Sequence, residues 1–150
     1  MRIAVLGAGA FGTALAVALA RNGASVLLWG RDRDTMAEIQ VTRRHDRRLP
    51  GVDLPDGLIV TANLGEIAEF GCVLLAIPMQ RLDQFVQEHR EFLRGKLLVS
   101  CAKGIDLSTR QGAVAILKGS FPNSSPAVLT GPSFAADIAA GLPTALTLAC

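Results

Sequence analysis

Cysteine and histidine are scarce in this chain of 150 residues: three cysteines, Cys72, Cys101 and Cys150, and two histidines, His45 and His89. The cysteines show neither the paired spacing of a disulfide framework nor the close Cys/His spacing of a zinc site. Cys72 and Cys101 lie in or beside apolar runs, which predicts buried, reduced thiols in a cytoplasmic setting. The histidines fall in polar, helix-like surroundings without a ligand partner at suitable spacing, so no metal site is expected. Charge of one sign is scarce too. Fifteen Lys and Arg against thirteen Asp and Glu leave a net charge of +2, which does not argue for nucleic acid as a partner. Beyond Ile3–Ala20, no uncharged run approaches the length of a membrane span. Neither an internal repeat nor a low-complexity linker is present.

What the chain does have is apolar residues. They make up half of it, with a mean hydropathy of +0.38. A parallel sheet covered on both faces explains this, because its buried strands read as continuous apolar runs. Ile3–Leu6, Val73–Ile77 and Leu97–Val99 are such runs. Strands are expected over Ile3–Leu6, Ser25–Trp29, Leu58–Val60, Cys72–Ile77, Leu97–Cys101, Ala127–Thr130 and Thr144–Cys150. Helices are expected over Thr13–Arg21, Arg33–His45, Arg81–Leu93, Gly112–Leu117 and Phe134–Ala140, with a helical turn or two at Leu64–Ala68. Leu49–Gly57 reads as a turn-rich loop. The alternation gives an α/β fold, a Rossmann-like, doubly wound, mostly parallel sheet with helices on both faces.

The most informative motif is Gly7-Ala8-Gly9-Ala10-Phe11-Gly12, placed between the first strand and the first helix. A dinucleotide pyrophosphate needs that arrangement. Gly7 permits a tight turn, Gly9 lets the backbone approach the phosphates, and Gly12 lets helix and strand pack closely. The helix N-terminus adds free N–H groups and a partial positive charge. The competing reading of the motif alone is a glycine turn that binds nothing. A second competitor is a secretory signal, since Arg2 precedes the uncharged run Ile3–Ala20 and Ala18-Leu19-Ala20 resembles a cleavage site. Three glycines and Thr13 interrupt that run, and the βαβ unit closed by Ser25–Trp29 favours the dinucleotide turn.

In open α/β sheets, ligands bind at the carboxyl ends of the strands. Those ends carry Gly7–Gly12, Arg31, Pro78, Lys103 and Gly131–Ser133. Arg31, Arg33, Arg43, Arg44, Arg47 and Arg48 follow the second strand, where the adenosine ribose of a dinucleotide would lie; the plain alternative is a solvated helix face. The pattern stops at Cys150 without a closing helix, which predicts the N-terminal part of a longer protein.

Along nearly its whole length the chain resembles the N-terminal half of bacterial NAD(P)-dependent glycerol-3-phosphate dehydrogenases. The resemblance rests on Ile3 to Ala16, Leu28-Trp29-Gly30-Arg31-Asp32, Leu49-Pro50-Gly51-Val52, Ala76-Ile77-Pro78, Lys103-Gly104, Leu129-Thr130-Gly131-Pro132-Ser133-Phe134-Ala135 and Gly141-Leu142-Pro143-Thr144-Ala145. It implies reversible reduction of dihydroxyacetone phosphate to sn-glycerol 3-phosphate, for phospholipid synthesis. It implies cofactor contacts at Ala10, Phe11, Arg31, Lys103 and Ala135, and substrate contacts at Lys103, Gly131 and Ser133. The principal acid–base lysine belongs to a helical C-terminal domain beyond residue 150, and the family admits a homodimer of the full-length protein.

Lys103 can stabilise the charge that builds on a carbonyl oxygen during hydride addition. Ser133 can hydrogen-bond a substrate oxygen or cap the helix that follows. Arg31-Asp32 offers both an arginine for a 2′-phosphate and an acid for a 2′-hydroxyl; NADP(H) is expected to be preferred, with NAD(H) tolerated. The chain departs from the family at Arg48, where an aromatic residue is common, at Cys101-Ala102, where Ala-Thr is frequent, and at Asp137, where glutamate is usual. Two other functions remain: a non-catalytic dinucleotide-sensing module, and a related dehydrogenase with another small substrate. Lys103 and the Gly-Pro-Ser-Phe-Ala run weigh against both.

Overall fold

The computed structural model describes residues 1–150. A strand β1 (Arg2–Leu6) leads to helix α1 (Ala10–Arg21), strand β2 (Ser25–Trp29) and helix α2 (Arg33–Thr42). A hairpin of β3 (Arg44–His45) and β4 (Leu49–Asp53) follows, then β5 (Ile59–Thr61) and a 3₁₀ segment, Leu64–Glu69. Next come β6 (Cys72–Leu75), α3 (Met79–Glu88), α4 (Arg90–Leu93) and β7 (Leu97–Ser100). The chain continues through α5 (Ala113–Ser120), β8 (Ala127–Thr130), α6 (Ala135–Ala140) and β9 (Thr147–Ala149).

Seven strands form one sheet in the order β5-β2-β1-β6-β7-β8-β9. All pairs are parallel except β8 with β9. The chain starts in the middle, at β1, winds out to β5, then returns to β6 and winds the other way. This is the order of a dinucleotide-binding sheet, and its reversal point lies between β1 and β6. The expected Rossmann-like fold is therefore the one observed.

The pleat divides the core. Ala4, Leu6, Leu27, Trp29, Val73 and Leu75 face α3, α4 and α5, whereas Ile3, Val5, Val26, Leu28 and Leu74 face α1 and α2. Both faces are dry, which accounts for the high hydropathy. The uncharged run Ile3–Ala20 is built into β1, the glycine turn and α1. A smaller cluster of Ala14, Leu49, Ile138 and Ala139 joins α1, the hairpin and α6. No helix is long and apolar enough to cross a membrane.

Several expectations need correction. The helix expected to reach His45 stops at Thr42, because Arg43 takes a left-handed conformation with φ of 56°. Its guanidinium donates to the carbonyls of Pro55 and Leu58, and Leu54 N–H donates back to its carbonyl at 2.8 Å. These long-range bonds turn residues expected to form a loop into the β3–β4 hairpin. His45 is consequently a buried strand residue, not a polar helix residue. Another concerns Cys72, which opens β6 half-buried, while Cys101 is buried as expected. The helix expected over Arg81–Leu93 is interrupted at His89, whose ring packs edge-on to Phe85 at 4.6 Å between centroids.

Candidate dinucleotide and substrate site

The glycine turn is closed on its protein side and open on its outer side. Gly7 has a φ of +118°, and a Cβ there would sit 2.3 Å from the Ala76 carbonyl oxygen at the end of β6. A Cβ on Gly12 would lie 2.0 Å from the Gly7 carbonyl oxygen and 3.0 Å from Ala76 Cβ. Only hydrogen fits at either place. Around Gly9, by contrast, a Cβ would meet nothing within 4 Å. Gly9 caps α1 without a side-chain bond, and the first helical bond runs from Thr13 N–H to the Gly9 carbonyl at 2.9 Å. The amides of Ala10, Phe11 and Gly12 thus have no protein partner. Three unpaired N–H groups at the positive end of a 12-residue helix make an anion site. Phe11 is half-buried and packs against two of the apolar clusters, which orients this first turn.

His45 braces the turn from the hairpin. Its Nε2 lies 2.9 Å from the Ala8 carbonyl oxygen. A carbonyl only accepts, so Nε2 carries the proton and donates. Nothing in the local sequence announces this contact, which spans 37 positions.

At the end of β2, Gly30 N–H donates to the Thr61 carbonyl at 3.1 Å. Asp32 caps α2: its carboxylate accepts from Thr35 N–H at 2.7 Å. The Thr35 hydroxyl and amide hold the Asp32 carboxyl below its ordinary value, and the positive charge of Arg47 and Arg31 adds to this. The arginine run divides in two. Arg43 braces the hairpin, and Arg44 pairs with Asp46 at 3.3 Å and Asp53 at 3.8 Å. Arg31, Arg33, Arg47 and Arg48 are exposed and form neither an ion pair nor a side-chain hydrogen bond within the protein.

Beyond the reversal point, Pro78 is exposed at the N-cap of α3, a position that suits its fixed φ and missing N–H. Lys103 is exposed past the end of β7, and its Nζ donates to the Gly131 carbonyl at 3.1 Å. A Cβ on Gly131 would meet the Ala145 carbonyl oxygen at 2.4 Å. Ser133 Oγ donates to that same carbonyl at 3.0 Å. The cap of α6 is Phe134, without a side-chain bond, so the capping role considered for Ser133 is not realised. Ala135 opens α6 and packs against the cluster shared with α1 and the hairpin. Lys103, Gly131 and Ser133 are therefore joined in one hydrogen-bonded corner.

Sequence reasoning missed the brace behind that corner. Buried Asp106 accepts at one oxygen from the Ser108 amide and hydroxyl at 3.1 and 2.6 Å, and from the Thr109 amide and hydroxyl at 2.8 and 2.9 Å. These bonds hold its carboxyl below the usual range. Gln80 of α3 donates to the Ile105 carbonyl at 2.8 Å and accepts from Leu107 N–H at 2.9 Å. Asp-x-Ser-Thr is a turn signature, so Asp106 was readable, whereas the Gln80 clamp was not. Burial pushes the Cys101 thiol up to about 12 and raises that of Cys72, which makes both poor nucleophiles. A cavity of about 580 Å³ lies at the other end of the sheet, beside the start of β7. Its Arg90 and Lys96 already serve carbonyls of Ser120, Ile67, Ala68 and Phe70.

Residues 2–150 match the family described as NAD-dependent glycerol-3-phosphate dehydrogenase N-terminus. The chain belongs to that family. It is 55% identical over 150 residues to the NAD(P)+ glycerol-3-phosphate dehydrogenase of Ruegeria sp. strain TM1040, covering 100% of this chain and 47% of that protein. It is also 55% identical to the enzyme of that name from Paracoccus denitrificans strain Pd 1222, covering 100% of this chain and 46% of that protein. The crystal structure of glycerol-3-phosphate dehydrogenase from Coxiella burnetii superposes with a TM-score of 0.90 at 30% identity, over 98% of this chain and 46% of that one. The chain thus spans about half the length of the curated relatives it matches.

Proposed function

We propose that residues 1–150 are the dinucleotide-binding domain of a glycerol-3-phosphate dehydrogenase that interconverts dihydroxyacetone phosphate and sn-glycerol 3-phosphate, supplying glycerophospholipid synthesis in the cytoplasm. A helical substrate domain completes the enzyme, whose full-length form can pair as a homodimer. The observation that carries the reading is the trio of unpartnered amides at Ala10, Phe11 and Gly12, set at the β1/β6 reversal point beside the open face of Gly9. An anion approaching there meets N–H groups directed at it and no side chain in the way.

A bound nicotinamide dinucleotide supplies the hydride. The chain's own residues bind and orient. Gly7, Gly9, Ala10, Phe11 and Gly12 hold the pyrophosphate, Arg31 holds the ribose end on the β2 side, and Pro78 and Ala135 contact the cofactor from the β6–β8 side. NADP(H) is preferred over NAD(H), because Arg31 is exposed, has no ion pair within the protein, and carries a planar fork that suits a 2′-phosphate. Lys103 is the group that meets the substrate oxygen. Its ammonium is exposed and anchored by a single carbonyl, so it can turn toward a developing alkoxide. The carbonyl-lined surface of Gly131 and the Ser133 hydroxyl position the substrate beside it.

Titration of the chain with NADPH and with NADH tests this. Saturable binding, tighter for NADPH, is expected, together with no steady-state reduction of dihydroxyacetone phosphate by these residues alone. Absence of binding of either dinucleotide sinks the reading.

A further inference from the structure

We propose that Gln80 is a positioning residue for Lys103: it clamps the loop that carries this lysine to the first turn of α3 and so fixes where the ammonium stands. The proposal deepens the dehydrogenase reading above and rests on it.

Three observations carry it. The first is how little else holds the lysine. Cys101 N–H donates to the Leu75 carbonyl at 3.0 Å, which ties the end of β7 to β6. Beyond that bond, neither the Lys103 nor the Gly104 amide has a protein partner. The Lys103 side chain is exposed and makes one bond, to the Gly131 carbonyl. The second is the completeness of the clamp. Gln80 Nε2 donates to the Ile105 carbonyl at 2.8 Å, and its Oε1 accepts from Leu107 N–H at 2.9 Å. One carboxamide thus serves an acceptor and a donor of the same segment, as a neighbouring strand would. The clamp begins two residues after Lys103, across Gly104, whose φ of 90° turns the chain. The third is what the loop lacks. Asp106 N–H donates to the Gln111 carbonyl at 2.9 Å and Arg110 N–H to the Asp106 carbonyl at 2.8 Å, beside the Ser108 and Thr109 bonds already described. The loop is therefore stiff within itself, but its large apolar side chains, Ile105 and Leu107, are exposed. Core packing does not fix it on this side; Gln80 does. Helix α3 can act as the anchor because Met79, Leu82 and Val86 are buried.

An ammonium on a flexible stem reaches a reacting oxygen reproducibly only if its backbone starts from a fixed place. Without the clamp, the stiff loop can pivot at Gly104. A misplacement on the order of 1 Å at the reacting group can cost about a hundredfold in rate. Pro78, the proposed cofactor contact, stands two residues before Gln80, so one helical turn serves both the dinucleotide and the lysine.

The test is steady-state reduction of dihydroxyacetone phosphate by the proposed full-length dehydrogenase. Gln80→Met keeps the length of the side chain and makes neither bond. It is expected to lower kcat at least about tenfold and to leave the KM for NADPH within about threefold, because the glycine turn is untouched. Gln80→Glu keeps the acceptor for Leu107 but sets a carboxylate against the Ile105 carbonyl at neutral pH, and is expected to lose at least as much. The deciding measurement pairs each variant with Lys103→Ala. With no lysine left to position, the second substitution is expected to lower kcat/KM by less than about twofold more. A full further tenfold loss in that background means that Gln80 only stabilises the protein, and overturns the proposal. Wild-type kcat in Gln80→Met or in Gln80→Glu overturns it too. Gln80 is exposed, so both variants are expected to fold; should Gln80→Met not do so, Gln80→Glu and its pairing with Lys103→Ala carry the test. Wild-type enzyme that does not reduce dihydroxyacetone phosphate overturns the underlying reading instead.

Discussion

The glycine turn and the Lys103 corner sit at strand ends of the same sheet and are built in opposite ways. The turn is backbone. Its positions are set by where a Cβ does not fit, at Gly7 and Gly12, and its chemistry comes from amides that no side chain covers. The corner is side chain. Lys103 and Ser133 are held by single bonds to the Gly131 and Ala145 carbonyls. A backbone site is complete once the strand and helix pack. A side-chain site on an exposed edge has its reach but not its opposing wall. The contrast explains why the proposed dinucleotide cradle is set by backbone alone, whereas the proposed substrate corner depends on exposed side chains.

The sharpest way to break this comparison is within the turn. Gly12→Ala forces a Cβ against the Gly7 carbonyl and is expected to cost about 3 kcal/mol of stability. The melting temperature should fall by roughly 6–12 °C. Gly9→Ala has free space around its Cβ and is expected to change stability by less than about 0.5 kcal/mol while weakening NADPH binding at least about tenfold. Equal melting losses for the two variants would mean that the turn is not open on one side.

At the corner the expected pattern is inverted. Lys103→Ala should leave the melting temperature of this chain nearly unchanged, because its Nζ makes one exposed bond. In the proposed full-length dehydrogenase it should lower kcat/KM by about a hundredfold or more, as loss of an oxyanion-stabilising group does. A variant that keeps its activity removes Lys103 from the chemistry.

A smaller effect separates the brace from the site. Asp106 has its carboxyl depressed below 3.8 by bonds from Ser108 and Thr109. A depressed carboxylate adds stability above its unfolded value, and that contribution is lost as pH falls through the lower folded value. Asp106→Asn should therefore melt below wild type at neutral pH, with the gap closing as pH drops below about 4. A gap that persists in acid assigns the difference to packing. The smallest expected effect is on labelling order: a thiol reagent should modify exposed Cys150 first, half-buried Cys72 slowly, and Cys101 only on unfolding. Early modification of Cys101 would show that β7 opens locally.

Much of the fold was legible. Ser25–Trp29 and Ala127–Thr130 have the boundaries read from their apolar runs, and the glycine motif lies where strand meets helix. Helix α1 starts at Ala10, earlier than expected, because only Gly9 and not the whole motif stays extended. The hairpin was illegible. It depends on a left-handed arginine, a conformation that residue preferences assign to glycine or asparagine, and on carbonyls of Pro55 and Leu58. His45 and Gln80 were missed for a related reason: each bonds a backbone group 25 or more positions away.

The sequence by itself determined the alternation of strand and helix, the glycine spacing and the residues at the strand ends. Those follow from local sterics and from the period of apolar side chains, which act over a few residues. Only the tertiary structure decided which arginines brace and which stay free, that Asp32 caps a helix, and that His45 stands on the glycine turn. Long polar side chains have several partners within reach, and the packing of distant segments selects among them.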